Sequence, residues 1–162
     1  MDRLWAPWRK AYIRPEGKRK PGCLFCRMAK GHAGHSEHIL LRTRHSFAVL
    51  NLYPYNNGHT LILPKRHVQT IEQLSDAERL DWLETYVKIE KALKKGLKAQ
   101  GINVGLNLGR TAGAGIPGHL HLHVVPRWKG DVNFMPVIAR TKVISESMQS
   151  VYKIMKRALG AG

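Results

Sequence analysis

Cysteine is scarce in this sequence, with only Cys23 and Cys26 among its 162 residues. Two cysteines this close together do not form the disulfide framework that stabilises small secreted domains. Long apolar runs are absent too, since no stretch approaches the roughly 20 apolar residues that span a bilayer. The first residues, 1–5, lack the apolar segment of a secretory signal. We therefore expect a cytoplasmic protein, a single domain over residues 1–162, with no membrane partner.

Acidic residues are also few, 11 against 27 lysines and arginines, which gives a formal net charge of +16. Such a charge attracts polyanions and speeds their encounter with the protein. The basic residues are spread along the chain, however, and few aromatic residues lie between them to stack on unpaired bases. The charge indicates a solvated surface that can steer a small phosphorylated substrate or make a weak nucleic-acid contact. Specific nucleic-acid binding is not expected.

Apolar segments of strand length predict five strands, at 39–43, 46–50, 60–63, 104–108 and 120–125. Ser75 and Glu78 have the spacing of a capping box, which opens a helix between the third and fourth strands. That helix is expected to end at Gly101. Its apolar residues at near-helical spacing are Leu80, Leu83, Val87, Leu93 and Leu97.

The two ends of the chain differ in pattern. Residues 1–22 form a basic, irregular arm whose Trp5 and Trp8 should pack against the body or a second subunit. At the other end, apolar residues from Val143 to Leu159 predict a last amphipathic helix that ends before Gly160. Strands, helix, strands and helix in this order predict an α+β domain on a mainly antiparallel sheet.

Three histidines alternate with leucines in His119-Leu120-His121-Leu122-His123. On a strand, alternate side chains share a face, so the three imidazoles lie on one side at spacings of about 6.6 Å. They could be hydrogen-bonded core histidines, a three-histidine metal site or a nucleophilic centre. Adjacent imidazoles diverge too far to share one zinc without distortion, whereas a neutral imidazole attacks phosphorus and leaves again from a phosphoramidate. The pattern favours a histidine nucleophile.

The loop before these histidines, residues 107–118, contains four glycines. Glycines let backbone amides approach an anion closely, as phosphate-binding loops do. A flexible connection is the plain alternative. Because the loop leads directly into His119, we predict that the amides of Gly113 and Gly115 contribute to a phosphate site.

Cys23 and Cys26 have the spacing of half a zinc site. No second pair of this kind follows, so two histidines would have to complete the site. A redox role would need a βαβ context that the pattern lacks, and chance spacing is the remaining alternative. We predict a zinc site.

Taken together, these residues resemble the histidine-triad family of nucleotide hydrolases and transferases, whose motif is His-φ-His-φ-His-φ-φ with φ apolar. Residues 119–125 match that motif in full, and 23–26, 46–51 and 58–67 match further family segments. Segments 4–9 and 126–134 look like the diadenosine-polyphosphate phosphorylase and hydrolase branch. The resemblance implies the histidine-triad fold, a mainly antiparallel five-stranded sheet with two main helices, extended across a homodimer.

The resemblance also implies roles for individual residues. His121 would be the nucleophile that forms a nucleotidyl-histidine intermediate. His123 and Asn107 would contact the α-phosphate, Asn51 would contact the ribose, and His59 would orient the site. Many members carry a Gln, Ser or Thr shortly before the triad, but residues 115–118 offer no such side chain. The preference for a leaving group is therefore open.

In zinc-bearing members the four metal ligands match Cys23, Cys26, His67 and His119. The zinc would be structural and would hold the start of the catalytic strand in place.

We expect an enzyme that cleaves diadenosine polyphosphates, such as diadenosine tetraphosphate, at the α-phosphorus. Phosphate as the acceptor would give ADP and ATP, and we favour it; water would give AMP and ATP. Hydrolysis of adenylyl phosphoramidates is an alternative within the family. A zinc-containing nucleotide- or RNA-binding module without turnover is the alternative from a different class.

Overall fold

The computed structural model describes residues 22–32, 38–131 and 145–160. In chain order its helices and strands are α1 (Leu24–Ala29), β1 (Ile39–Arg42), β2 (Ser46–Leu50), β3 (Thr60–Pro64), α2 (Asp76–Gly96), β4 (Gly101–Leu106), β5 (Leu122–Arg127) and α3 (Met148–Gly160). This is the predicted α+β architecture with two main helices. The expectations for the N-terminal arm and for Val143 lie outside the described residues.

The five strands of the described chain form one sheet in the order β1-β2-β3-β5-β4. Every neighbouring pair is antiparallel, which confirms and sharpens the prediction of a mainly antiparallel sheet. β5 lies between β3 and β4, so His123 is opposite Leu61 on one side and Gly105 on the other. The central position of β5 therefore places a paired strand on each side of His123.

The two faces of the sheet bury separate cores. Helices α2 and α3 cover one face, where Ile62, Leu120 and Val124 are at most 2% exposed. Helix α1 covers the other face, with Phe25 and Met28 packed on residues of β1, β2 and β3. Because Leu120 and Val124 point to the helix side, the histidines between and beside them point to the α1 side, as alternation predicts.

Helix α2 begins as expected but differs from the prediction in length and in its buried face. The Ser75 side chain accepts from the Glu78 amide, and the Glu78 carboxylate accepts from the Ser75 amide. The helix ends at Gly96 rather than Gly101, which instead begins β4. Its buried residues are Trp82, Thr85, Ile89, Ala92 and Leu93. Of the residues expected in the core, Leu80, Leu83 and Val87 are exposed.

The histidine segment also departs from a continuous strand. β5 begins at Leu122, so His119 and His121 precede it, and the strand before them is Gly101–Leu106 rather than 104–108. The Leu120 amide donates to the carbonyl of Val68, outside the sheet ladder. Neither His119 nor His121 pairs with β3 or β4. Each helix in the described part of the chain is either too short or too polar to span a bilayer.

Candidate active site and metal centre

His121 is buried, and its ring is held by the backbone two residues earlier. Its Nδ1 lies 2.8 Å from the carbonyl oxygen of His119. A carbonyl can only accept a hydrogen bond, so Nδ1 carries the proton and Nε2 keeps its lone pair. The fold therefore presents one unprotonated imidazole nitrogen of His121, which is what nucleophilic attack requires.

His59 and His123 form a hydrogen-bonded pair with equally defined proton positions. The backbone amide of Tyr55 donates to Nδ1 of His59 at 3.0 Å, so the His59 proton is on Nε2. That Nε2 lies 3.0 Å from Nδ1 of His123 and donates to it. His123 in turn carries its proton on Nε2. One backbone amide thus determines the tautomers of two side chains.

Burial keeps these two imidazoles neutral. Burial first, and then the neighbouring His123, lower the pKa of His59 to about 3. Burial and then His121 lower the pKa of His123 to about 4. Both rings are therefore uncharged near neutral pH, and the pair acts through its fixed N–H donors rather than through positive charge.

Two asparagines flank the histidines. Asn51 is oriented by two contacts: its Oδ1 accepts from the Tyr53 amide, and its Nδ2 lies 3.3 Å from Nδ1 of His59. Nδ2 of Asn107 lies 3.4 Å from Nε2 of His123. Because that Nε2 carries a proton, two donors stand side by side and neither satisfies the other. Two converging donors without a shared acceptor are suited to binding an anionic oxygen.

Phe25 was given no role by the sequence analysis, yet it packs on two of the histidines. Its ring centroid lies 5.5 Å from that of His119 and 5.4 Å from that of His121. Phe25 lies between the two cysteines and is 5% exposed. The sequence feature that could have identified Phe25 is its position as an apolar residue between the two cysteines. Helix α1 therefore packs against both imidazoles through Phe25, and it also contains Cys26.

The predicted metal ligands come together, although they are far apart in sequence. One donor atom from each of Cys23, Cys26, His67 and His119 lies within 4.8 Å of the others. Sγ of Cys26 is 3.3 Å from Nδ1 of His67, and Sγ of Cys23 is 3.4 Å from Nδ1 of His119. Metal–ligand bonds of about 2.1–2.3 Å in a tetrahedron place neighbouring donors about 3.5 Å apart. Two thiols and two imidazoles at these distances fit a tetrahedral metal ion.

The surroundings of the cluster match a metal centre. Nε2 of His119 lies 2.9 Å from the carbonyl of Pro64, so it carries the proton and leaves Nδ1 free for a metal. Burial and the adjacent Cys23 raise the pKa of the Cys26 thiol. Two thiolates this close repel each other unless a cation lies between them, which explains why a divalent metal suits the site.

The glycine loop is less closely tied to the histidines than expected. Gly113 and Gly115 are both exposed. The Gly113 amide already donates to the carbonyl of Arg110 at 2.9 Å, within the loop itself. No hydrogen bond in the described part of the chain joins either glycine to the triad. Of the two amides, only that of Gly115 is left without a hydrogen bond inside the described residues.

Comparison with known proteins places this architecture in a family. Residues 33–130 match the HIT domain. The AP-4-A phosphorylase of Mycobacterium tuberculosis is 35% identical over 162 residues, covering 96% of this chain and 83% of that protein. The asymmetrical bis(5'-nucleosyl)-tetraphosphatase of Schizosaccharomyces pombe is 34% identical over 93 residues, 57% of this chain and 50% of that protein.

A solved structure agrees with the sequence relatives. The zinc-bound histidine triad family protein from Mycobacterium smegmatis superposes with a TM-score of 0.71 at 26% identity, over 86% of this chain and 94% of that one. The fold, the complete motif and the matched domain all agree. The chain belongs to the histidine triad (HIT) family.

Proposed function

We propose that this protein cleaves diadenosine polyphosphates at the α-phosphorus by nucleotidyl transfer through His121. The observation that carries the proposal is the hydrogen bond from Nδ1 of His121 to the His119 carbonyl, because it leaves Nε2 unprotonated. The relatives named AP-4-A phosphorylase and bis(5'-nucleosyl)-tetraphosphatase support a dinucleoside polyphosphate as the substrate.

In the first step Nε2 of His121 forms a bond to the α-phosphorus, and the bond from phosphorus to the bridging oxygen breaks. Diadenosine tetraphosphate then loses ATP and leaves an adenylyl group on the histidine. The terminal phosphate of the departing ATP has a second pKa of about 6, so the ATP leaves as an anion without a dedicated proton donor. This fits the lack of a polar side chain at residues 115–118.

The remaining residues bind and orient the α-phosphate and the nucleoside. The N–H donors of His123 and Asn107 converge and are suited to the non-bridging oxygens. His59 fixes the tautomer of His123, and Asn51 is placed beside His59 to contact the ribose. Because these donors are already oriented in the fold, they need little reorganisation as charge develops on phosphorus.

In the second step an acceptor attacks the adenylyl group and releases His121. Phosphate as the acceptor gives ADP, and water gives AMP. We favour phosphate, because the relative similar over 96% of this chain is named a phosphorylase and because the high positive charge retains small anions. The amide of Gly115 is the available loop donor for such an anion.

Incubation with diadenosine tetraphosphate, with and without millimolar phosphate, tests both steps. ADP and ATP with phosphate present are the expected products. AMP and ATP without any ADP under both conditions would reject the phosphorylase and leave a hydrolase. Binding of the substrate without any turnover would favour the nucleotide- or RNA-binding module.

The metal is proposed to be a structural zinc held by Cys23, Cys26, His67 and His119. All four positions of a tetrahedron are then filled by protein, so no position remains for water or substrate. The ion would join α1 to His119. It would not act as a Lewis acid in the reaction. Elemental analysis that finds one zinc per chain is the expected result.

A homodimer is proposed through β4 and α2. β4 is at the end of the sheet, so its outer backbone groups are unpaired within the described chain, and Val104 is exposed. Leu80 and Leu83 on α2 are 59% and 58% exposed. A two-fold contact between identical edges would cover both surfaces.

Light scattering at micromolar concentration should give about twice the 18.3 kDa of one chain. Val104→Lys should shift the protein towards the monomer. The control, Ile71→Lys, changes an exposed apolar residue outside both surfaces and should not. A wild-type mass of 18.3 kDa would contradict the dimer.

A further inference from the structure

A groove of about 220 Å³ lies beside the triad, on the side of β4. We name it the β4 groove; its residues on the triad face are Tyr55, Asn103, Gly105, Asn107, His123 and Val125. It begins at the two N–H donors that we assign to the α-phosphate and extends away from His121. The reaction described above uses only this end of it.

The floor of the β4 groove is open because of one glycine. Gly105 pairs with His123 across the sheet, and a Cβ added to it would meet no atom within 4 Å. Asn103 and Asn107 are two residues away on either side, so their amide groups border the same space. The groove thus offers a flat floor with hydrogen-bonding groups at both ends.

Tyr55 lines the same groove. The planes of the Tyr55 and His123 rings meet at 16°, and their centroids are 5.9 Å apart. The centroid of the Tyr55 ring is 4.7 Å from that of His59. The two imidazoles stand against part of the ring, yet the residue is 55% exposed. Its hydroxyl has no hydrogen-bond partner among the described residues. An aromatic ring supported on one face and open on the other is a stacking surface.

A hydrogen-bond network holds Tyr55 and the floor in a common position. Asn56, which is buried, donates to the Pro126 carbonyl and to the Asp131 carboxylate. Arg127 donates two hydrogen bonds to the same carboxylate and one to Oδ1 of Asn103. The residue after Tyr55 is therefore linked to β4 through side chains, and Nδ2 of Asn103 is left as a donor.

The chemistry of the groove fits a nucleoside better than a phosphate chain. No lysine, arginine or acidic side chain of the described residues lines it, and His123 is neutral because its pKa is lowered to about 4. An uncharged space with an aromatic wall and amide groups suits a base and ribose. Phosphates would need cationic or converging N–H groups, which occur only at the triad end.

We propose that the β4 groove binds the nucleoside of the leaving nucleotide, with its base stacked on Tyr55. The inference rests on the proposed function, in which one adenosine lies by Asn51 and the polyphosphate leaves past His123 and Asn107. A dinucleoside polyphosphate has a second nucleoside, and the groove is an adjoining space whose uncharged lining suits it. Tyr55 would thereby favour dinucleoside over mononucleoside polyphosphates.

The test compares two substrates that share the adenylyl group and differ in the second nucleoside. Diadenosine tetraphosphate has it, and adenosine 5'-tetraphosphate lacks it. Tyr55→Ala should lower the ratio of kcat/KM for the first to kcat/KM for the second about tenfold, because the stacking of one base is lost. Tyr55→Phe keeps the ring and should retain the ratio. Tyr53→Ala, in the same loop but outside the groove, is the matched control and should also retain it.

The two proposals fail in different ways. If Tyr55→Ala lowers both kcat/KM values equally, or neither, the ring binds no leaving nucleoside and the inference is overturned. If the wild-type protein cleaves neither substrate, the proposed function fails instead. The groove is then judged by equilibrium binding: Tyr55→Ala must weaken binding of diadenosine tetraphosphate and not of adenosine 5'-tetraphosphate.

Discussion

Nδ1 of His121 lies 2.8 Å from the carbonyl oxygen of His119, while Nδ1 of His119 itself faces the cysteines at 3.4 and 3.6 Å. The residue that completes the metal cluster therefore also orients the proposed nucleophile through its backbone. We therefore expect a change in one centre to reach the other across two residues. The predictions below separate what each centre contributes.

Replacing His121 by alanine should reduce kcat for diadenosine tetraphosphate by at least about 1,000-fold, because the nucleophile acts in the transition state. Ground-state nucleotide binding should change much less. Added imidazole should restore part of the activity to His121→Gly. Single-turnover kinetics measures both effects; residual activity above a few per cent in His121→Ala would remove the residue from this role.

Loss of a single metal ligand should lower stability and zinc content together. Cys26→Ser should cost on the order of 3 kcal/mol of stability. At about 2–4 °C for each kcal/mol, this loss should lower Tm by about 10 °C. Calorimetry and elemental analysis of the same samples provide the measurement. His32→Ala, at an exposed histidine just after α1, is the control and should change neither. Full stability without any bound metal would refute the zinc assignment.

His119→Ala should damage both centres. It removes a proposed metal ligand, the hydrogen bond to Pro64 and the ring that packs on Phe25. We expect Tm to fall as in Cys26→Ser and kcat to fall by a further factor of about 10 or more, since a 1 Å misplacement of the reacting group costs about 100-fold. Equal kcat values in the two variants, measured below their melting temperatures, would show that the centres are independent.

Acid should destabilise the fold through the buried histidine pair. The pKa of His59 is about 3 in the folded protein against an ordinary 6.5, so the unfolded chain takes up the proton first as pH falls. The stability that neutral His59 confers is complete above pH 6.5 and declines towards pH 3. The slope contributed by this group is at most about 1.4 kcal/mol per pH unit.

Urea unfolding at several pH values between 7 and 4 measures that slope. His59→Gln removes the titrating ring, so its free energy of unfolding should depend less steeply on pH than that of the wild type. The comparison cancels protonation of the metal ligands, which both proteins share. Identical slopes would mean that His59 titrates normally in the folded protein.

Gly58→Ala should destabilise the protein by about 2–5 kcal/mol. Gly58 has φ of +77°, and an added Cβ would lie 2.5 Å from a methyl carbon of Leu97 and 3.1 Å from one of Leu93. A left-handed backbone costs an alanine about 1–2 kcal/mol, and overpacking adds about 1–3 kcal/mol. Thermal unfolding gives the value.

Gly109→Ala is the matched control for Gly58→Ala. Its φ is +85°, but nothing lies within 4 Å of an added Cβ. It should therefore show the backbone cost alone. Similar losses in both variants would indicate that the leucines move aside at no cost.

The face of α2 shows where sequence periodicity stops being informative. Leu80, Leu83 and Val87 have helical spacing, and so do the residues Trp82, Ile89 and Leu93 on the opposite side. Periodicity predicts that a helix is amphipathic, but two apolar stripes leave two ways to place it on a sheet. Packing on β2 and β3 selected the stripe with Trp82, whose indole donates to the Ile62 carbonyl. Leu80, Leu83 and Val87 are therefore exposed.

The histidine segment shows the opposite case, where a prediction held although its premise was incomplete. Alternation placed Leu120 and the histidines on opposite sides, and the structure has them there. Yet His119 and His121 lie outside strand pairing. Side chains can alternate between two faces without strand pairing, whereas pairing needs a neighbouring strand alongside the same residues.

What the sequence alone determined is the set of chemical groups and their local order: the Cys-x-x-Cys spacing, the alternating triad, the capping box at Ser75 and the α+β succession of elements. These depend on neighbours within a few residues. Only the tertiary structure decided that His67 meets Cys26, that the ring of Tyr55 lies over His123, and which nitrogen of each imidazole carries the proton. Those outcomes depend on which backbone amide or carbonyl faces a ring across the fold, and no local pattern specifies that contact.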